Sequence, residues 1–387
     1  MRKLHKGYKT EIAPTSKQKE KINQTIGVCR YMYNFYISHN KEIYEQGGKF
    51  VSGMDFQKWI NNEYLPQNPD KLWIKDAYNK AVNRSIMNAD RAFRYFFTGK
   101  KGFPKYKKKN VTDSKMYFVK NNDLDCICER HRIKIPTLGW VKIKEKGYIP
   151  TDKNISSGTV SCKAGRYYVS VVVEENRPPA VKLNDCGLGI DLGIKEFAVL
   201  SDGTVKKNIN KTQELRKLEQ KLKREQRSLS RKYEDYEKRK KKGETTRKNI
   251  DKQILKLQKI HQRIANIRKN YINNTVSEIV KTKPSYITIE DLNVKAMMKN
   301  KHLSKAIAAQ KFYDFRVQLE SKCKEMGIEL RVVDRWYPSS KTCHKCGKIK
   351  GNLKLSERQF RCSCGYQADR DYNASLNLRD AKEYVIV

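Results

Sequence analysis

Three carboxylates and four thiols are the residues whose types and spacing could do chemistry. Asp191 follows the apolar run Gly187-Leu188-Gly189-Ile190 and precedes Gly193. Glu290, with Asp291 beside it, closes the run Tyr286-Ile287-Thr288-Ile289, and Asp371 lies within Asp369-Arg370-Asp371-Tyr372-Asn373-Ala374. Singly, each has a plain structural reading: a turn residue before glycine, a solvated acidic pair at a strand exit, a helix N-cap. Together they are three hard oxygen donors of the kind that hold Mg2+. Two such ions about 3.5–4 Å apart hydrolyse a phosphodiester, one activating water and the other stabilising the leaving oxygen. The thiols form two pairs, Cys343-x2-Cys346 and, fifteen residues on, Cys362-x-Cys364, each beside a glycine, Gly347 or Gly365. That spacing suits a tetrahedral Zn2+ with four protein ligands, a structural site rather than a catalytic one. A disulfide pair, or His344 in place of one cysteine, is the alternative, and the second knuckle is one residue shorter than usual. Cys29, Cys126, Cys128, Cys162, Cys186 and Cys323 read as small core residues.

The elements that must position these groups follow from hydrophobic period and turn residues. Cys186–Leu192 and Lys195–Ser201 read as strands, and Ser201-Asp202-Gly203 as a hairpin turn into a third strand near Val205. A charged helical pair spans 210–275, with one seam of Leu215, Leu218, Leu222 and Leu229. Its second seam is Ile250, Ile254, Leu257, Ile264 and Tyr271, and a Lys-rich turn around Gly243 separates the two. Over 206–248 there are 18 Lys and Arg against 7 Asp and Glu, which favours a duplex-lining role over a plain solvated hairpin. A strand at 285–291, a helix at 305–326, a strand at 328–334, the Cys-rich insert and a helix at 371–384 follow. In an RNase H-like sheet the first and fourth strands are neighbours and the last helix packs across them. That topology would bring Asp191, Glu290 and Asp371 into one cluster.

The other half of the chain holds no comparable chemistry. Residues 15–97 read as helices, opened by a capping box of Thr15 and Gln18. Ile22, Ile26, Cys29, Tyr33 and Tyr36 form one apolar stripe; Ala77, Ala81, Ile86, Ala89, Phe93 and Phe96 form another, closing at Gly99. The loop Gly102-Phe103-Pro104-Lys105-Tyr106-Lys107-Lys108-Lys109 interleaves aromatics with cations, as a loop that grips backbone and stacks a base would, although a solvated charge run is the alternative. Strand-like segments at 115–119, 125–135, 139–144, 159–163 and 166–174 suggest a small antiparallel barrel, to which Lys3–Ile12 could add a strand. Arg177-Pro178-Pro179 marks a linker.

The 387 residues carry 83 Lys and Arg against 42 Asp and Glu, a net charge of +41. With 38% hydrophobic residues the chain is too apolar for a disordered polycation, so the charge calls for a polyanion. Nucleic acid is the first candidate and an anionic membrane surface the second. The start MRKLHKGYKTEI leads into no apolar signal region, and Tyr167–Val173 is too short to span a bilayer. Ten cysteines without an export signal argue for reduced thiols or metal ligands, hence a soluble, cytoplasmic protein.

Several segments resemble the TnpB family of transposon-encoded RNA-guided nucleases, relatives of type V CRISPR effectors. Gly189-Ile190-Asp191-Leu192-Gly193-Ile194-Lys195 is similar to the family's first RuvC motif and Ile289-Glu290-Asp291-Leu292-Asn293-Val294-Lys295-Ala296-Met297 to its second. Tyr337-Pro338-Ser339-Ser340-Lys341-Thr342-Cys343-His344-Lys345-Cys346-Gly347 resembles the start of its zinc module, and Asp369–Ala374 its third motif. Gly27–Tyr33, Gly102–Lys107 and Ile135–Lys142 are also similar to family segments, so the resemblance spans essentially the whole chain.

The resemblance implies a multidomain α+β fold. A helical recognition lobe (15–110) would be inserted in a small β-barrel wedge domain (1–14 and 111–180). An RNase H-like RuvC α/β domain (181–335 and 369–387, with the hairpin at 210–275) would follow, carrying an inserted zinc ribbon (336–368). It implies Asp191, Glu290 and Asp371 as the Mg2+-binding catalytic acids and Cys343, Cys346, Cys362 and Cys364 as zinc ligands. The partners implied are a guide RNA from the transposon end and target double-stranded DNA bearing a short flanking motif. Lys105, Tyr106, Lys107, Lys108 and Lys109 would be contacts to nucleic acid. No membrane partner is implied, and monomer and dimer both remain open. Two other readings stand beside it: an RNase H-like transposase doing strand transfer, and a non-enzymatic zinc-containing nucleic-acid binder.

Overall fold

The structure, a computed structural model, describes residues 3–109, 115–120, 125–176, 181–240, 246–353 and 357–387. Its chain gathers into two units, Met1–Arg177 and Pro178–Val387. The expected linker at Arg177-Pro178-Pro179 and the turn around Gly243 lie outside the described residues.

The first unit begins with strand β1 (Lys3–Ala13) and helix α1 (Ser16–Glu45). The Thr15–Gln18 capping box is present, and Gln18 Nε2 also donates to the carbonyls of Leu138 and Trp140, each at 2.9 Å, fixing where the helix starts. Helices α2 (Gly53–Trp59), α3 (Leu65–Gln67) and α4 (Asn79–Phe97) follow. The two apolar stripes form a helical core in which Ile22, Cys29 and Tyr36 of α1 join Ala81, Ile86 and Phe93 of α4. Phe96 lies outside this core and is exposed. Asp90 is buried inside it and accepts from Tyr36 Oη (3.1 Å), the Gly53 amide (3.1 Å) and Arg94 Nε (2.7 Å).

Strands β2 (Lys115–Val119), β3 (Arg132–Ile135), β4 (Gly139–Ile143), β5 (Ile155–Lys163) and β6 (Arg166–Asn176) complete this unit. They and β1 form one antiparallel sheet ordered β2-β5-β6-β1-β4-β3. Among the described residues no ladder joins β2 to β3, so the expected barrel is an open half-barrel whose short edge strands do not meet. Of the expected strand at 125–135 only Arg132–Ile135 forms one; before it the Glu129 amide donates to the Arg132 carbonyl, a turn that folds Cys128 back against Ile133.

In the second unit a meander of β7 (Leu188–Leu192), β8 (Ala198–Leu200) and β9 (Val205–Lys206) turns at Gly203, whose φ of 87° only glycine adopts freely. Helices α5 (Gln213–Lys240) and α6 (Lys248–Lys281) pack along Leu215, Leu218, Ile260 and Ile264. Gln253 is buried in this pair, donating to the Glu225 carbonyl and carboxylate. The far end of α6 (Ile272, Val276, Ile279) packs beneath the sheet with Phe197, Phe312 and Phe315.

Then come β10 (Tyr286–Glu290), α7 (Val294–Met297), α8 (Ser304–Gln310), α9 (Phe312–Met326) and β11 (Glu329–Val333). A single helix over 305–326 is not formed. Lys311 takes a left-handed conformation (φ 61°, ψ 38°), which buries Phe312 and directs Gln310 Nε2 onto the Gly193 carbonyl. A two-stranded ribbon, β12 (Gln359–Arg361) with β13 (Gln367–Asp369), leads into α10 (Arg370–Arg379). The last helix thus stops five residues short of the expected Tyr384. Arg379 forks onto Asp380, and the chain returns as β14 (Val385–Ile386), antiparallel to β11. The sheet order is β14-β11-β10-β7-β8-β9, with β7, β10 and β11 mutually parallel. Among the described residues no helix is long and apolar enough to cross a membrane.

Candidate active site and metal centre

Strands β7 and β10 pair with Ile190 opposite Ile289, so in the same register Asp191 follows opposite Glu290 at one edge of the sheet. Side chains opposite each other in a parallel pair share a face, and these two carboxylates therefore do. Helix α10 supplies the third. A Cβ added to Gly189 would lie 2.0 Å from the Ser375 carbonyl oxygen and 2.5 Å from the Arg379 nitrogen, so helix and strand touch backbone to backbone. Asp371 stands four residues before Ser375, on the same face of α10, and Asp191 stands two beyond Gly189, on the same face of β7. One close contact thus brings the two acids together.

Their electrostatics report the proximity. Burial pushes the Asp191 carboxyl well above the ordinary carboxylate range, and the charges of Glu290 and Asp371 push it further, against a smaller opposing pull from Arg370. Glu290 is raised by burial, opposed by a hydrogen bond donated from the Ser339 hydroxyl. Asp371 lies 3.3 Å from Arg370 Nη2 and 3.8 Å from Arg358 Nη1. The N-cap of α10 is Asp369, which accepts from the amides of Asp371 (2.9 Å) and Tyr372 (3.3 Å), so the Asp371 carboxylate is not spent on capping. Asp291 differs from its neighbour: Arg316 and Arg335 each donate to it at 2.7 Å and hold it below the usual range. Each of its two oxygens is thus taken by an arginine. Three oxygen donors whose charges oppose one another are chemically suited to a hard divalent cation. A cleft of about 280 Å³ bordered by Lys195, Val199, Val205, Asp369, Asp371 and Tyr372 opens beside them.

The four thiols lie closer together than the acids. One sulfur from each of Cys343, Cys346, Cys362 and Cys364 falls within 4.8 Å of the others; among the described residues the carboxylates do not meet that limit as a set of three. Cys343 and Cys364 Sγ are 3.7 Å apart and Cys346 and Cys362 Sγ 3.6 Å apart, close to the edge of a tetrahedron with metal–sulfur bonds of about 2.3 Å. All four are free, which removes the disulfide alternative. In each knuckle a glycine amide donates back to a cysteine carbonyl (Gly347 to Cys343, Gly365 to Cys362), and both glycines have positive φ. The imidazole of His344 faces Asp380 at 3.8 Å, so it replaces no cysteine.

The sequence did not signal what joins the two centres. Asn373 Nδ2 donates to the Thr342 carbonyl, and Asn377 Nδ2 donates to the carbonyls of Ser339 and Thr342, each at 2.7 Å. Both asparagines are buried, one helical turn apart on α10, and they fasten the loop entering the first knuckle. The i, i+4 spacing of two asparagines was the available clue. In the first unit, the loop residues Lys105, Tyr106, Lys108 and Lys109 are exposed, whereas Lys107 is pinned to α1. Its amide and carbonyl pair with the Asn34 side chain at 2.7 and 2.9 Å, and its ammonium sits 3.9 Å from the centre of the Tyr33 ring.

Three family models match the chain: "Helix-turn-helix domain" over residues 1–49, "Probable transposase" over 170–301 and "Cas12f1-like, TNB domain" over 312–378. "Putative RNA-guided DNA endonuclease InsQ" of Escherichia coli K12 is 30% identical over 98% of this chain and 92% of its own length. The chain belongs to the TnpB family. A "Putative RNA-guided DNA endonuclease" of Streptomyces pristinaespiralis is 27% identical over 98% of this TnpB-family chain and 89% of its own length. The cryo-EM structure of a Cas12f1–sgRNA–target DNA complex shares the fold, with a TM-score of 0.51, 15% identity and coverage of 98% and 99% of the two chains. The described residues in the span of the first model depart from its name, since residues 3–45 fold here as a strand and one 30-residue helix.

Proposed function

We propose that this chain is an RNA-guided DNA endonuclease that hydrolyses phosphodiesters at Asp191, Glu290 and Asp371. The observation that carries the reading is the junction of β7, β10 and α10, where three acids from distant parts of the sequence share one edge. Asp191, Glu290 and Asp371 are the residues that would hold Mg2+. Bound there, Mg2+ would supply Lewis-acid polarisation of the phosphoryl oxygens and of water. The chain's own groups set up that chemistry. Ser339 orients one oxygen of Glu290, Arg370 and Arg358 offset the charge of Asp371, and Asp369 takes over the capping duty. Cys343, Cys346, Cys362 and Cys364 would hold a structural Zn2+ that fixes residues 336–368.

The first unit would carry the recognition lobe and wedge, the second the RuvC-like domain and zinc ribbon, with the boundaries expected from the sequence. Its partners would be a guide RNA derived from the transposon end and target double-stranded DNA. Base pairing would then read the target, while protein reads a short flanking motif and the duplex backbone. The exposed Lys105, Tyr106, Lys108 and Lys109, with the pinned Lys107, would touch backbone, and the basic α5–α6 pair would line the duplex.

The test is purification of the full chain with the RNA it carries. Treatment with RNase before adding DNA should abolish cutting; cutting that survives would leave the transposase reading in its place. Asp191→Ala should retain the RNA and lose cleavage, and retained cleavage would remove Asp191 from the site.

A further inference from the structure

Trp336 is 84% exposed, the most exposed large hydrophobic side chain among the described residues. Such side chains usually ride on loose loops, but the backbone on both sides of this one is fastened. Its own amide donates to Asp334 Oδ1 at 2.8 Å, and the Tyr337 amide closes the turn onto the Asp334 carbonyl at 3.0 Å. The preceding Arg335 is ion-paired with Asp291, the neighbour of Glu290. Beyond it, Tyr337 Oη donates to the Asn377 carbonyl of α10 at 3.0 Å, and Ser339 holds Glu290 itself. The indole therefore stands on a rigid turn whose anchors are the strand and the helix that carry two of the three acids.

A rigid, solvent-facing indole is matched by a flat apolar partner, and the setting selects which one. The surplus of cations along the chain favours a polyanion. Unpaired bases present a flat face on a charged backbone, and every base has such a face, so a stacking platform reads no sequence. That tolerance suits an enzyme whose choice of site is made by pairing elsewhere.

We propose that Trp336 stacks on an unpaired base of the strand held at the acid cluster and so sets which phosphodiester lies over the acids. The inference rests on the assignment of Asp191, Glu290 and Asp371 as the hydrolytic site. Its test uses the full chain with its RNA and matched DNA targets that carry one abasic residue at successive positions around the cut. Trp336→Ala should slow single-turnover cleavage about fivefold or more, the rate equivalent of one lost stacked base. Trp336→Phe should restore most of the rate, and Trp336→Leu, which keeps bulk without a ring, should stay slow. At one position the abasic target should slow the parent chain by the same factor and slow Trp336→Ala no further. An unchanged Trp336→Ala rate, rescue by leucine, or effects that multiply at every position would each overturn the proposal, including the case in which the indole serves a contact between two copies. Asp191→Ala run alongside separates the two failures: if it still cuts, the acid-cluster assignment has failed, whatever the tryptophan variants do.

Discussion

The hydroxyl of Ser339 donates to the carboxylate of Glu290, joining the loop that enters the first cysteine knuckle to the strand that carries an acid of the candidate site. A donated hydrogen bond favours the charged carboxylate, opposing the burial that raises Glu290. Ser339→Ala should therefore make Glu290 harder to ionise. A hydrogen bond to a charged group is worth about 1.5–3 kcal/mol, so cleavage at neutral pH should fall about tenfold or more. The acid limb of the pH–rate profile should move to higher pH, and Ser339→Thr should restore it. A profile that keeps its shape would mean Ser339 acts only through packing.

The raised Asp191 carboxyl has a consequence for stability. Its folded state holds a proton more tightly than the unfolded chain does, so its ionisation costs stability increasingly as pH climbs above the ordinary carboxylate value. Asp191→Asn should raise the Tm of magnesium-free protein at pH 8 and raise it much less near pH 4, because the cost vanishes only below the ordinary carboxylate value of 3.8, where the carboxyl is neutral in both states. Thermal unfolding at the two pH values checks this, and cleavage by the variant should be absent.

Gly189→Ala should be far more damaging than its single methyl suggests. The added carbon would meet the backbone of α10 at 2.0 and 2.5 Å, contacts that no side-chain rotation relieves. Overpacking of this kind costs about 1–3 kcal/mol or more, and here it pushes Asp371 away from Asp191. Cleavage should be lost while RNA binding persists. Gly27→Ala, with nothing within 4 Å of the added carbon, is the control and should leave Tm unchanged or raise it.

Zinc removal should reach the acids as well as the knuckles. Structural zinc binding is worth about 10–16 kcal/mol in small modules. Cys346→Ser should therefore open residues 336–368 to proteolysis. Because Asn373 and Asn377 tie that loop to α10, cleavage should fall with it. Metal analysis and limited proteolysis follow the first effect, and a target-cutting assay the second. Full cutting by a zinc-free variant would break the link.

The strands and the cysteine site were legible because their signals are local: apolar runs ended by Asp or Glu, and thiols at knuckle spacing. The pairing of β7 with β10 followed from element order. The break at Lys311 was not legible, since a lysine in a left-handed conformation leaves no compositional mark. Nor was β14, because two residues carry no period and the strand exists only where β11 offers an edge. Ser339, Asn373 and Asn377 escaped notice for a further reason. A buried polar side chain is chosen by the carbonyls and carboxylates that the finished fold leaves needing a partner, and those are tertiary facts.

Asp371 follows the four-cysteine segment in the chain, and α10 docks onto a strand made far earlier. A ribosome therefore delivers the cationic helices first and completes the acid cluster only after every other part of it has been synthesised. If the acids cut as proposed, a polypeptide that stops before Asp371 would keep the cationic helices and lack the third carboxylate. On the proposed reading the order of synthesis would make the chain a binder before it is a cutter.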